Sequence, residues 1–363
     1  MKITLTIFRW LVGLLFIFSG LIKANDPLGL SYKMLEFFEA WNWHFLDNYT
    51  LAFAFLMNVF EVLAGVAIII GWRIKLFSWL LLLLIIFFTF LTSYVLFSGK
   101  ITACGCFGDC VPLTPLQTFE KDIALLLMIL LLFFNTGKIK SFFASFKSFI
   151  ILAVTVVLVT GIQFYVLRHL PFLDCLPYKK GNDLLEQMKI PAGALPDSFA
   201  IQYKYTKNGK TVEFGADHFP ADFDSTYQYV DRYDRLVRKG TAEAKIVDLS
   251  FQTLSGNDTT QAILHENNRY LLLFVKDFSN ADDWKEQFQI VLKAALKKNI
   301  PVYLVTSQAG VASSLFSNVM ILKCDATVIK TAARVTPTYF LMQGALILQK
   351  YSYADADKLQ RRF

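Results

Sequence analysis

The stretch LFSWLLLLLIIFFTFLTSYVLF, residues 76–97, holds no Asp, Glu, Lys or Arg and is long enough to cross a ~30 Å hydrocarbon core as one helix. Comparable runs lie at residues 5–24, 51–71, 115–135 and 149–167, so five transmembrane helices are predicted. Arg9 interrupts the first run and no small-x-small cleavage site follows Gly20, which predicts a retained helix rather than a removed signal peptide. The fourth run has its start written into it: Thr114 suits the N-cap, Pro115 the first helical position, and Gln117 closes a capping box. Composition agrees. Of 363 residues 55% are hydrophobic and only 18% charged, against the ~25% usual in soluble domains. Most of the charge falls after residue 170, so a membrane half precedes a soluble half; the composition rules out a disordered chain and argues against a purely cytosolic enzyme.

The connections set an expected orientation. Lys2, Arg9, Arg73, Lys75, Lys138, Lys140 and Lys147 fall on one side of the five-helix scheme, whereas Asp26, Glu36, Glu39, Asp47, Asp109, Glu120 and Asp122 fall on the other. By the positive-inside rule the amino terminus is cytoplasmic and the carboxy-terminal domain lies outside the cytoplasm. Lys23, Lys33, Lys100, Lys121 and Arg168 count with the outer side. The net charge of +7 is spread too thinly for a nucleic-acid surface, so the lipid bilayer is the partner the composition names.

Two places in this half carry polar chemistry. Met34, Leu35, Phe37, Phe38, Trp41 and Trp43 beside Glu36, Glu39 and His44 suit a short helix at the headgroup boundary, read either as an aromatic belt or as a quinone or substrate cradle. Asn58 and Glu61 stand one turn apart near mid-membrane, where an ionisable group needs a partner. Interhelical hydrogen bonding to Thr89, Thr92 or Ser93 and proton handling are both open readings.

The strongest chemical signal is Cys104-Gly105-Cys106-Phe107-Gly108-Asp109-Cys110, on the expected outer side and beside the start of a helix whose unsatisfied amides favour a thiolate. Glycines at 105 and 108 permit the tight backbone that a bridge within the loop requires. Cys104 and Cys106 are the expected redox pair, with Cys110 as an alternative resolving thiol; a static disulfide or inert thiols are the plainer readings. No Cys or His pair supplies a second half-site for metal. Cys175 follows the fifth helix near the membrane surface, where it would resolve a mixed disulfide or lock the domain to the membrane part. Cys324 lies deep in the soluble half, beside the apolar residues 319–322, and is expected to be a buried, inert thiol.

Four helices, an acidic residue in the second, and the Cys-Gly-Cys-Phe-Gly loop followed by Thr118-Phe119-Glu120-Lys121-Asp122-Ile123 resemble the MauE branch of the DoxX-like membrane proteins over residues 1–135. The run from Arg9 through Gly20 to Lys23 is similar to the start of DoxX proteins. The resemblance implies a redox-associated protein of the bacterial inner membrane, in a family implicated in methylamine-dehydrogenase maturation, where disulfides are made in the periplasm. A fifth helix in residues 136–170 and the appended domain depart from that short pattern.

In residues 171–244 an alternating run at 199–205 turns at Asn208-Gly209 into a second at 211–214, a hairpin signal, and a helix-like stretch follows at 223–238. From residue 245 strands and helices alternate, which predicts an α/β layer. That order, with Thr336-Pro337-Thr338 just before a strand, resembles a thioredoxin-like domain over residues 245–363, and the resemblance implies a cis Pro337 in a partner-binding platform. Where thioredoxins carry Cys-x-x-Cys, this chain reads Asp277-Phe278-Ser279-Asn280-Ala281-Asp282-Asp283, so dithiol exchange has no nucleophile there.

The expected fold is therefore a membrane α-helical bundle followed by a soluble α/β thioredoxin-like domain. The expected function is thiol–disulfide exchange with periplasmic thioredoxin-like or client proteins through Cys104, Cys106 and Cys110, with Cys175, Glu61 and Asn58 as accessory residues and Pro337 as the partner-binding one. No cofactor is fixed by the sequence: a quinone is one compatible class, and no metal or nucleotide signature is present. The competing expectation is a non-enzymatic membrane scaffold with a structural loop disulfide.

Overall fold

The computed structural model describes residues 2–101, 105–195, 198–216, 218–238, 240 and 244–363. It divides into two units, Met1–Gly181 with Ser250–Phe363, and Asn182–Leu249. The first begins with α1 (Lys2–Asn25), α2 (Pro27–Ala40), α3 (Thr50–Ile70), α4 (Ile74–Ser98), α5 (Pro115–Phe134) and α6 (Ser145–Arg168). Local chemistry sets several of the ends. Asp26 caps α2 by accepting from Gly29 N at 2.9 Å, and α5 carries the Thr114–Gln117 capping box. The chain leaves α3 through Gly71 at φ 74, where a Cβ would stand 2.6 Å from Arg9 Nη2, so both the dihedral and the space call for glycine.

Among the described residues, four helices are long and apolar enough to cross a membrane: Ile3–Asn25, His44–Ile70, Ile74–Ser98 and Ser145–Arg168. The fourth expected span, residues 115–135, folds as α5, where Glu120, Lys121 and Asp122 near its start leave an apolar run shorter than the others. Val12 and Phe16 of α1, Ala64 and Ile68 of α3, Leu81 and Ile85 of α4 and Ile129 of α5 fill the bundle core. Outward positions carry exposed Leu14, Leu83, Phe90 and Val157, the apolar-out pattern of a membrane protein.

The second unit holds α7 (Leu184–Gln187) and an antiparallel sheet in the order β2-β1-β3, built from β1 (Ser198–Lys207), β2 (Lys210–Gly215) and β3 (Gln228–Arg238). The Asn208-Gly209 turn joins β1 and β2, with Thr206 opposite Thr211. The rings of Tyr205 and Phe214 stack on each other, and both meet Phe223 and Tyr227 edge to face. Where a helix is expected over 223–238 the chain instead forms a strand from Gln228 to Arg238: Tyr229, Val230, Tyr233 and Val237 favour a pleated surface, and pairing with β1 overrides their helical spacing.

The first unit resumes with α8 (Thr260–Leu264), β4 (Arg269–Val275), α9 (Lys285–Lys297), β5 (Val302–Thr306), α10 (Ala309–Leu315), β6 (Met320–Lys323), α11 (Ala326–Ala332), β7 (Thr338–Gln343), β8 (Leu346–Ser352) and α12 (Ala356–Gln360). The sheet order is β6-β5-β4-β7-β8, parallel across β4, β5 and β6 and antiparallel from β4 to β7 to β8. This is the soluble α/β region. The run Tyr270–Val275 is buried throughout because both sheet faces are covered, Trp284, Phe288 and Phe316 packing in one core and Phe251 meeting Phe274 on the other side. The Thr336–Pro337 peptide is cis. Lys276 N donates to Thr336 Oγ1 at 3.2 Å, which sets the Asp277–Asp283 turn beside Pro337.

Candidate functional site

The site is built first by close approach of α1 and α3. A Cβ on Gly13 would come within 2.9 Å of Gly65 O, one on Gly65 within 2.6 Å of Gly13 O, and one on Gly20 within 3.1 Å of Asn58 O. Small residues thus let the two backbones nearly touch, as they do in membrane helix pairs. This brings Lys23 of α1 onto Glu61 of α3 as an ion pair, both side chains buried. Ser19 Oγ lies 3.0 Å from Glu61 Oε2 and 3.0 Å from the carbonyl oxygen of Cys106, so its hydroxyl ties the buried carboxylate to the cysteine loop.

The partners differ from those expected. Thr89 and Ser93 donate to their own helix backbone, and Thr92 donates to Asp122 Oδ2 at 3.1 Å, which Lys121 also pairs. Asn58 turns instead to α6, where its Nδ2 donates to Gln163 Oε1 at 3.0 Å. Lys23, counted from sequence with the outer loop charges, is inside the bundle because its long stem lets the ammonium reach back to Glu61. Ser19 and Gln163 were not singled out from sequence; the signal available was a basic residue near the end of the first apolar run facing an acidic one inside the second.

The cysteines fall into two tiers. Cys106 is buried, beneath Phe107, whose ring packs 5.7 Å from that of Phe18. Cys110 forms a disulfide with Cys175, their Cα atoms 4.9 Å apart, and both residues are half-buried. Cys110 is thus joined across the fold, to the segment after α6, rather than within its own loop. Cys104 lies outside the described residues. Beside Cys106 a cavity of about 430 Å³ opens among α2, α3 and α4, walled by rings such as Phe37, Trp41, Phe60 and Phe88, with Lys23 and Cys106 in its lining.

The α/β region is fastened to the same loop. Arg334, three residues before Pro337, reaches Asp26 and Asp109, each at 2.8 Å, and donates to Lys330 O at 2.9 Å. Burial pulls its guanidinium pKa down, but Asp26 and Asp109 outweigh that and hold it above the ordinary value. Lys350 pairs with Asp174 at 2.7 Å next to Cys175. Burial depresses the Lys350 pKa, an effect Asp174 only partly offsets. His169 Nδ1 meets Asp355 at 2.9 Å. Cys324 sits apart under β6, its thiol pushed up to about 12 by burial, a poor nucleophile at neutral pH.

Comparison with known proteins agrees on the first third. Residues 1–135 match the family of methylamine utilisation protein MauE, and residues 199–239 match a domain of unknown function, DUF8463. Protein TlpB of Flavobacterium psychrophilum is 29% identical over 133 residues. That match covers 36% of this chain and 36% of the relative. No solved structure matches the chain. Residues 1–135 are thus MauE-like, as the cysteine loop and its neighbours imply.

Proposed function

We propose that this membrane protein is a thiol–disulfide exchange protein of the bacterial inner membrane, with the amino terminus cytoplasmic and both the cysteine loop and the α/β region on the periplasmic side; in this reading α5 crosses the membrane as well as α1, α3, α4 and α6, which keeps Cys110 and Cys175 on one side. The observation that carries the reading is the two-tier arrangement: a half-buried Cys110–Cys175 bond outside, and Cys106 buried at the bundle end. A client thiolate attacks one sulfur of Cys110–Cys175 and the other sulfur leaves as a thiolate. The client's second thiolate then resolves the mixed disulfide, so the client departs oxidised and Cys110 and Cys175 are left reduced. A disulfide between Cys104 and Cys106 accepts those two electrons by the same exchange.

The sheet order and cis Thr336–Pro337 peptide support a thioredoxin-like reading of residues 245–363. With no cysteine in the Asp277–Asp283 turn, this domain docks rather than reacts, and Arg334 beside its Pro337 loop grips Asp109 of the cysteine loop. The platform thus serves the chain's own loop as well as an incoming client.

The second reading, a scaffold, is favoured by the same Cys110–Cys175 bond, which ties the loop to the root of the α/β region. Differential alkylation of membranes equilibrated in graded redox buffers separates the two. Exchange predicts that Cys110–Cys175 opens well above about −300 mV and that Cys106→Ser blocks its return; a bond that stays closed at that potential and ignores Cys106→Ser is structural. Membrane-impermeant maleimides applied after mild reduction must also label the loop from the periplasmic face, and purely cytoplasmic labelling overturns the proposal.

A further inference from the structure

We infer that the aromatic cavity beside Cys106 binds the head group of a lipid-soluble quinone, which accepts electrons from the cysteine loop; this rests on the exchange reading above. Three observations meet there. The cavity, about 430 Å³, is of the size that holds small-molecule ligands, and its walls set rings such as Phe37, Trp41 and Phe60 among aliphatic Leu30, Met34 and Leu91. Phe53, Leu56 and Phe87 both line it and are exposed on the outer face of the bundle, so it is open toward the bilayer and a membrane-dissolved ligand enters sideways. Its polar contribution comes from Lys23, paired with Glu61, from Lys33, paired with Glu36 at 2.8 Å, and from Cys106, with Gly105 against the Lys33 stem, where an added Cβ would sit 3.2 Å from Lys33 Cγ.

That asymmetry selects the ligand. An acyl chain needs neither a cation nor a thiol, whereas a quinone presents two carbonyl oxygens that accept hydrogen bonds and gain negative charge on reduction, which ammonium groups stabilise. Its ring matches the aromatic walls. The step balances: the Cys104 and Cys106 thiols give up two electrons and two protons and join as a disulfide, while the quinone oxygens take both and become a hydroquinone. Lys23, held on Glu61, places a donor in the cavity without placing an unpaired charge in the membrane.

The test uses the full chain in phosphatidylcholine nanodiscs, reduced, freed of reductant and mixed with decylubiquinone. Loss of quinone absorbance should reach two equivalents per chain, one for Cys104 with Cys106 and one for the electrons that Cys110 and Cys175 pass on to them, and the quinone should quench tryptophan fluorescence, Trp41 being in the wall. Cys106→Ser should abolish reduction and keep quenching. Leu91→Trp, which fills the cavity, should weaken quenching at least about tenfold, and Lys33→Gln, which removes a half-buried cation whose ammonium is shared with Glu36, should weaken it by up to about tenfold. Cysteines that cycle in glutathione buffers while the quinone is neither bound nor reduced would overturn this inference and leave the exchange reading standing. Quinone that quenches while the loop cysteines never cycle defeats the exchange reading and the electron transfer with it. A co-purified lipid that decylubiquinone fails to displace also overturns the assignment.

Discussion

Replacing Arg334 by methionine tests what fastens the α/β region to the cysteine loop. The guanidinium is buried and bridges two carboxylates, Asp26 at the start of α2 and Asp109 between Cys106 and Cys110. The two arms are unequal. Asp109 is 46% exposed, so its arm contributes about 0–1 kcal/mol, as surface ion pairs do. Asp26 is 20% exposed and keeps Gly29 N as a partner, so losing its arm costs less than the ~3–5 kcal/mol of breaking a fully buried pair, about 2 kcal/mol. The total, about 2–3 kcal/mol, shifts the docked–undocked equilibrium about 30- to 150-fold. Amide hydrogen exchange on the full chain in nanodiscs reads this directly: peptides spanning residues 105–111 and 326–337 should exchange faster by that factor, while those in the bundle core should not change. Arg334→Lys, which reaches one carboxylate at a time, should fall between. Exchange within about threefold of the wild type for Arg334→Met would refute the reasoning and leave the disulfide as the fastening.

Three further outcomes follow from the same geometry. Cys175→Ser should release Cys110, visible as a mobility shift on non-reducing gels, and lower the stability of the carboxy-terminal region by up to about 4 kcal/mol, the loop-closure contribution for a separation of 65 residues. Gly65→Leu should prevent α1 and α3 from closing and abolish assembly, whereas Gly20→Ala, whose nearest obstacle is the movable Val62 side chain, should fold with a loss of about 1–3 kcal/mol measured by thermal unfolding. At Asp355 burial, which raises a carboxyl pKa, is outweighed by hydrogen bonds from Lys358, His169 and Ser352, so the group titrates below its ordinary value. Its stabilisation is full above about pH 4 and disappears as pH falls through the depressed folded value; Asp355→Asn should flatten that acid limb in a fluorescence-monitored melt.

How much of this was legible in the sequence depends on the range over which each interaction acts. Apolar runs, the Thr114–Gln117 box and the Asn208-Gly209 hairpin are local, and each appears where the residues place it. The stretch 223–238 misled because its tyrosines and valines recur at helical spacing, while its state is fixed by β1, a neighbour that periodicity does not contain. The site depended on still longer reach. Asn58 and Glu61 were visible as costly polar groups, but their choice of Gln163 and of Ser19 and Lys23 over nearer hydroxyls followed from which helices touch, and for α1 on α3 that was set by Gly13, Gly20 and Gly65. Arg334 offered no local sign at all, since the carboxylates it joins lie far back in the chain. Cys110 and Cys175 were each conspicuous, yet pairing them requires knowing that α6 returns its end beside the loop.

These contacts also bear on how a disulfide could open here without destroying the site. Once a bond is reduced its sulfurs re-form it quickly only if something else keeps them adjacent, because proximity supplies the effective concentration. The loop is held from below by Ser19 on the Cys106 carbonyl and from above by Arg334 on Asp109. Cys175 is held separately, by Lys350 on the neighbouring Asp174 and by Asn25, which exchanges two hydrogen bonds with the Leu173 backbone. None of these four restraints involves a sulfur atom. Reduction of Cys110–Cys175 therefore removes one fastening among several, and both thiols stay within reach of each other. The exchange proposed above needs such restraints, because a bond that opens re-forms only where its sulfurs stay adjacent.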